Sequence, residues 1–75
     1  MRKIYFIDFV HNYGDVEQYG RATFSREEAE AIFKEAVHAY NLDDFWSGTA
    51  FVVENADAES LILREIDLPE ENIAE

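Results

Sequence analysis

Two histidines, His11 and His38, are the only side chains in this sequence that by type serve as general bases near neutral pH. His11 opens a turn-like segment, and His38 falls on the polar face of a predicted helix, so neither is placed in an evident cleft. No serine has a histidine placed beside it by the sequence, and there is no cysteine to act as a nucleophile. We therefore expect that the protein is not an enzyme.

Carboxylates are the other candidates for chemistry. Neighbouring acids occur at Asp15 and Glu17, at Asp43 and Asp44, and at Asp57 and Glu59. Paired carboxylates of a glycosidase need a substrate cleft, which a chain of this length can hardly build. The calcium-loop pattern D-x-[DN]-x-[DN]-G is absent, and no two histidines are spaced one helical turn apart. We expect no cofactor and no specific metal site.

The charge of the chain is unusually negative and unevenly distributed. The formal net charge is -11 for 75 residues. Residues 1–26 hold four basic residues against three acids, whereas residues 27–75 hold two basic residues against fourteen acids. A field of this sign repels nucleic acid and anionic membranes and attracts basic protein surfaces. We therefore expect a protein partner with a basic surface, without direct nucleic-acid or membrane binding.

The sharpest form of this hypothesis is an inhibitor that imitates nucleic acid. A domain of this size is about 30 Å across, and a duplex of that length carries about nine phosphates per strand. The candidate partner-binding acids are Glu27, Glu30, Glu35, Asp43, Asp44, Asp57 and Glu59. In composition the chain resembles small acidic inhibitors from phage and mobile elements, such as anti-restriction and anti-CRISPR proteins. That resemblance rests on composition and on no motif.

A second hypothesis gives the acidity no specific role. The charge would then only keep a small accessory or homodimeric domain soluble, as in many acidic proteins or in a salt-adapted organism. The functional surface would be an apolar sheet face or the loop over residues 41–48, where Phe45 and Trp46 offer apolar side chains. Composition alone does not separate the two hypotheses.

An amphipathic helix over residues 25–40 is the most clearly predicted element. Ser25 at the N-cap and Glu28 three residues later form the capping-box pattern, and Asn41 suits the left-handed conformation that ends many helices. The apolar stripe that must be covered comprises Ala29, Ile32, Phe33, Ala36, Val37 and Tyr40. The opposite face comprises Glu27, Glu30, Lys34, Glu35 and His38, with an ion pair expected from Glu30 to Lys34.

Four strands surround this helix in the sequence. Runs rich in β-branched and aromatic residues predict strands at residues 3–10, 16–24, 49–54 and 60–68. Gly20 suggests a bulge or an edge position in the second strand. The fold class is therefore α+β, in the order ββαββ, with a mostly antiparallel four-stranded sheet and one helix on one face. Residues 1–75 form one domain, in which residues 69–75 are a frayed acidic tail.

One helix covers only one face of a sheet. We expect Tyr5, Ile7 and Phe9 to face the helix, because the opposite orientation would bury Asp8 without a visible partner. The eleven aromatic residues are more than one thin core absorbs. Either residues 41–46 fold over the open face, or that face pairs with a second copy or with another protein.

The cellular compartment is inferred from what the sequence lacks. Without cysteine there is no disulfide framework, which favours a reducing compartment. The N-terminal run resembles a signal peptide superficially, but Asp8 interrupts it and no small-residue cleavage site follows. No apolar run approaches the roughly 20 residues that span a bilayer. We therefore expect a soluble cytoplasmic protein.

Overall fold

A computed structural model describes residues 2–69, which form one sheet of four antiparallel strands and one long helix. The elements are β1 (Arg2–Val10), β2 (Val16–Thr23), α1 (Arg26–Ala39), a 3-10 turn (Asp43–Phe45), β3 (Val52–Glu54) and β4 (Ser60–Leu68). The strand order is β2-β1-β4-β3. The predicted α+β class and ββαββ order are confirmed, whereas residues 70–75 of the predicted tail lie outside the described part of the chain.

The start of α1 confirms half of the predicted capping box and corrects the other half. The Ser25 hydroxyl accepts the Glu28 backbone N–H at 3.1 Å, as predicted. The Ser25 N–H, however, donates to the Thr23 hydroxyl at 3.0 Å, and this hydroxyl donates to the Glu28 carboxylate at 2.6 Å. In a capping box the Glu28 carboxylate would accept the Ser25 N–H directly; here the Thr23 hydroxyl lies between the two groups. The end of β2 places Thr23 beside the first turn of the helix.

Removing this cap should lower the free energy of unfolding measurably. We expect Ser25→Ala to cost about 1 kcal/mol, because one N–H of the first turn loses its partner. Ser25→Asp is the matched control, since an aspartate accepts the same hydrogen bond and suits the helix N-terminus. Urea denaturation compares the two variants. An equal loss in both would show that the hydroxyl does not act as a cap.

The end of α1 is a Schellman motif centred on the predicted terminator. Asn41 has a φ of 58°, and its N–H donates to the His38 carbonyl at 3.1 Å. The Leu42 N–H donates to the Val37 carbonyl at 2.8 Å. This pattern brings the residue after the turn against the last helical turn. Leu42 and Val37 are accordingly both buried in the core.

The predicted ion pair between Glu30 and Lys34 is wrong. Glu30 accepts from Arg26 Nε at 2.9 Å instead. The Arg26 guanidinium also lies 3.3 Å from the Glu65 carboxylate on β4. This contact between helix and sheet holds Arg26 beside Glu30, which helical spacing alone does not reveal. Glu30 is half-buried as a result, rather than fully exposed as predicted.

The core lies between α1 and one face of the sheet. Its buried members are Ile7, Phe9, Phe33, Ala36, Val37, Leu42, Val53 and Leu61. The predicted orientation of β1 is confirmed, since Tyr5, Ile7 and Phe9 are all buried on the helix side. Trp46 packs there too, with its ring centroid 5.6 Å from that of Phe33. The alternative in which residues 41–46 cover the open face is therefore wrong, because the Schellman turn directs this segment toward the helix.

Asp8 on the open face of the sheet is buried despite pointing away from the helix. Its residue exposure is 8%, and Arg64 Nε on β4 donates to its carboxylate at 3.1 Å. From the sequence alone, a buried Asp8 had no visible partner. The register of β1 against β4 instead supplies the partner, because Arg64 lies opposite Phe6, two residues from Asp8 on the same face.

The two edge strands differ from the predictions in detail. β2 is an edge strand, and its register against β1 shifts between Tyr5 and Ile7. Gly20 lies within the shift with a φ of 72°, so both the bulge and the edge position are confirmed. β3 is only three residues long and pairs with β4 alone. Residues 49–51 of the predicted third strand lie outside it.

Candidate protein-binding site

Both hairpin turns and the C-terminus of α1 lie at the same end of the molecule, which we call the turn end. Val10 pairs with both Val16 and Ser60, and Glu54 pairs with Ser60, so the two turns leave the sheet side by side. The Tyr40 hydroxyl after α1 donates to Glu17 at 3.0 Å, which places the helix C-terminus there. The acids of the turn end are Asp15, Glu17, Asp43, Asp44, Glu54, Asp57 and Glu59.

No lysine or arginine within residues 2–69 forms an ion pair with any turn-end acid. Four basic residues, Arg2, Lys3, Arg21 and Arg26, lie toward the opposite end. Lys3 pairs with Glu65 at 2.7 Å and with Asp67 at 3.0 Å, and Arg21 pairs with Glu28. Several acids at the opposite end are therefore paired with lysine or arginine, whereas the turn-end acids have no such partner among residues 2–69.

The direction of α1 adds to this asymmetry. A helix carries partial negative charge at its C-terminus, because its last carbonyls have no intrahelical partners. Asp43 and Asp44 follow that end of α1 by four and five residues. His38 lies 3.4 Å from Asp43, and its side chain is largely exposed. The local field at the turn end is therefore more negative than the count of side chains indicates.

A hydrogen-bonded cluster links the strands and the helix at the turn end. His11 Nε2 lies 3.1 Å from the Glu17 carboxylate, and His11 Nδ1 lies 3.8 Å from the Glu59 carboxylate. The Tyr40 ring stacks on Phe9 with centroids 4.0 Å apart. The cluster therefore joins β1, β2, α1 and the β3–β4 turn. Its polar groups are engaged with one another, which suits a structural role rather than catalysis.

Two pKa values in this cluster are displaced. Hydrogen bonds from His11 and Tyr40 lower the pKa of Glu17 from its ordinary value of 4.5. Burial, reinforced by the bond to Glu17, raises the pKa of Tyr40 from 10.0 to about 12. The carboxylate of Glu17 and the neutral phenol of Tyr40 therefore stabilise each other.

Titration at high pH tests the Tyr40 contact. Because folding raises the pKa of Tyr40, its contribution to stability is complete below pH 10 and is lost as the pH rises through about 12. We expect the tyrosinate absorbance of the folded protein to include one component with a midpoint near 12 that Tyr40→Phe removes. Tyr13→Phe, which changes an exposed ring, is the control. Retention of the late component in Tyr40→Phe would contradict the assignment.

The structure separates the predicted partner-binding acids into two groups. Asp43, Asp44, Asp57 and Glu59 belong to the turn end. Glu27 and Glu35 are exposed along α1, and Glu30 is half-buried in its ion pair. Glu27 lies about 18 Å along the helix axis from the last residue of α1. The structure therefore does not bring Glu27 or Glu30 to the turn end.

Three turn-end acids, Asp15, Glu17 and Glu54, were missing from the predicted partner-binding set. A signal for them was present, because only residues 11–15 and residues 55–59 separate the predicted strands of each hairpin. Two hairpins joined by one helix have their turns at the same end of the sheet when the first and last strands are antiparallel neighbours, as β1 and β4 are. The predicted strands left that pairing open, so the acids of the first turn were not grouped with those of the second.

The two predicted apolar surface residues have different environments. Phe45 is 50% exposed, so it offers apolar surface as predicted. Trp46 is half-buried, packs against Phe33 and Phe51, and donates its indole N–H to the Ala50 carbonyl. The loop therefore presents one exposed aromatic ring rather than two.

Residues 2–69 contain no group of three or more histidines or acids arranged to hold a metal ion. The one long helix of this region is too short and too polar to cross a bilayer. Comparison of the chain with protein-family models, curated proteins and solved structures gives no match.

Proposed function

We propose that this protein binds the basic surface of a partner protein through its turn end. The observation that supports the proposal is the segregation of charge along the sheet. Four acids toward the opposite end, Glu28, Glu30, Glu65 and Asp67, are paired with arginine or lysine, whereas the turn-end acids have histidines as their only basic partners among residues 2–69. Unneutralised charge concentrated on one surface attracts an oppositely charged partner and steers its approach.

The turn end also presents its carboxylates from ordered backbone. In the β3–β4 turn, the Asn55 side-chain oxygen accepts the N–H groups of Asp57 and Glu59 at 2.9 and 3.0 Å. In the β1–β2 turn, the His11 N–H donates to the Asp15 carbonyl at 2.8 Å. A surface ordered before binding loses less conformational entropy when it binds. These turns therefore suit a stable interface better than a disordered acidic segment would.

The dimensions of the turn end agree with the imitation of a short piece of nucleic acid. Four strands span about 14 Å between the two edge strands. A duplex of that length carries about four phosphates per strand, or roughly eight in total. The seven acids of the turn end are of the same order. We therefore propose that the basic surface of the partner normally binds nucleic acid. By occupying that surface, this protein would inhibit the partner.

The test compares two double variants with the same change in net charge. Asp15→Lys with Asp57→Lys reverses one exposed acid in each hairpin turn. Glu27→Lys with Asp67→Lys reverses two exposed acids away from the turn end, one in the first turn of α1 and one near the end of β4. A partner is first captured from extract at low salt and purified, and its Kd for each form is then measured by calorimetry. We expect the turn variant to bind at least tenfold more weakly and the control variant to bind nearly as well as the original protein.

Salt and competition complete this test. Binding through the turn end should weaken strongly by about 0.5 M salt, because the screening length then falls to a few Å. Duplex DNA or RNA should compete with the protein for the partner if the site normally binds nucleic acid. Equal losses in the two variants would show that only total charge matters. If both variants bind as well as the original protein, the proposal is wrong and an apolar surface is the better candidate for the binding site.

A further inference from the structure

The sheet face opposite α1 is apolar, and none of its residues belongs to the core described above. Directly paired residues share a face, so the register defines this open face independently of the side chains. Its apolar residues include Ile4, Phe6, Val16, Val52, Ile62 and Ile66. Val52 and Ile66 are 54% and 46% exposed. Within residues 2–69, the helix and the loop that follows it pack on the other side of the sheet.

The charge of the open face differs from that of the whole chain. It carries two arginines, Arg2 and Arg64, and two acids, Asp8 and Glu54, so its net charge is zero. The whole chain carries -11. Two copies of such an acidic protein repel each other over most of their surfaces. This face is where two copies meet without juxtaposing an excess of like charge.

We infer that the open face binds a second copy of this chain, sheet against sheet. The apolar side chains would then form a second core between two sheets about 10 Å apart. Strands of 9, 8, 3 and 9 residues present a face of roughly 500 Å², so two copies would bury about 1,000 Å² in total. This area is at the lower limit for specific interfaces. The dimer is therefore expected to be weak and to depend on protein concentration.

Charge also selects the orientation of the two copies. A two-fold axis in the plane of the interface can run along the strands or across them. An axis along the strands would bring the two acidic turn ends together. An axis across the strands places the Arg2 end of one sheet over the Glu54 end of its partner and separates the two turn ends. The second arrangement is complementary and is the one we propose.

Sedimentation equilibrium tests the dimer with two matched variants. Ile66→Lys places a charge on the open face, and Phe45→Lys makes the same substitution at an equally exposed site on the loop. We expect the original protein and Phe45→Lys to dimerise at high micromolar concentration, and Ile66→Lys to raise the dimer Kd at least tenfold. Circular dichroism checks that both variants fold. Val52→Lys, also on the open face, gives a second measurement if Ile66→Lys does not fold.

Three results would overturn the dimer: a monomer at all concentrations, equal effects of the lysine variants on and off the open face, or binding of another protein on this face instead. Salt separates this proposal from the turn-end proposal. Dimerisation through a neutral apolar face should strengthen as salt screens repulsion between the copies, whereas binding of a basic partner should weaken. The Asp15→Lys and Asp57→Lys variant should retain the dimer. Either proposal can therefore fail without the other.

Discussion

Leu42→Ala is expected to leave a large fraction of the protein unfolded at room temperature. Leu42 is completely buried between α1 and the sheet, although it lies in a loop. Truncating a buried leucine costs about 2–5 kcal/mol through lost burial and the remaining cavity. A single-core domain of this length has only about 3–5 kcal/mol of stability. The loss is therefore comparable to the total.

The fluorescence of the single tryptophan measures this effect directly. Trp46 packs on Phe33 and Phe51 four residues after Leu42, so its emission reports the same part of the core. Urea denaturation should give a much lower midpoint for Leu42→Ala. Phe45→Ala is the control in the same loop, and we expect it to change stability by less than about 0.5 kcal/mol because its ring is exposed. A small effect of Leu42→Ala would contradict its place in the core.

Arg64→Met is expected to destabilise the protein by about 1–3 kcal/mol, because it leaves the Asp8 carboxylate buried without its partner. The Asp8 side chain is 12% exposed, and that of Arg64 is 43% exposed. The exposure of Arg64 lets water screen the pair, so the expected cost is smaller than for a fully buried pair. Methionine keeps much of the length and apolar character of the arginine stem.

Two further variants distinguish the ion pair from packing. Adding Asp8→Asn to Arg64→Met should recover much of the loss, because the buried group is then neutral. Arg2→Met is the control, because Arg2 is on the same strand as Asp8 but lies over the Phe24 ring. We expect it to cost less than about 1 kcal/mol. These measurements belong at concentrations where sedimentation shows a monomer. If Asp8→Asn brings no recovery in the Arg64→Met background, the loss comes from packing rather than from an unpaired charge.

The two proposals fit together in one arrangement. In the dimer proposed here, the turn ends point in opposite directions, so each remains accessible to a partner. Such a dimer would have two equivalent binding sites. Linked sites raise the apparent affinity when one partner presents two basic surfaces, and they leave it unchanged when it presents one. Calorimetric stoichiometry above and below the dimer Kd would therefore report on both proposals together.

The features that the sequence determined correctly depend on local spacing. The apolar stripe of α1, the Ser25 cap and the left-handed Asn41 each involve residues within one or two helical turns of each other. The alternation within β1 placed Tyr5, Ile7 and Phe9 on one face, and the charge of Asp8 on the other face was the reason to expect the first against the helix. Helical and strand periodicities specify which residues share a face before any long-range contact forms. The fold class follows from these patterns together with the order of the elements.

Long-range pairing decided the rest. The predicted partner of Glu30 was wrong because Arg26 is held by Glu65, which lies 39 residues farther along the chain. Asp8 obtains its partner from Arg64, 56 residues away, through the register of β1 against β4. The same pairing places both hairpin turns at one end and thereby groups acids that are dispersed in the sequence. Only the tertiary structure brings such residues together, because no local pattern specifies which strands become neighbours.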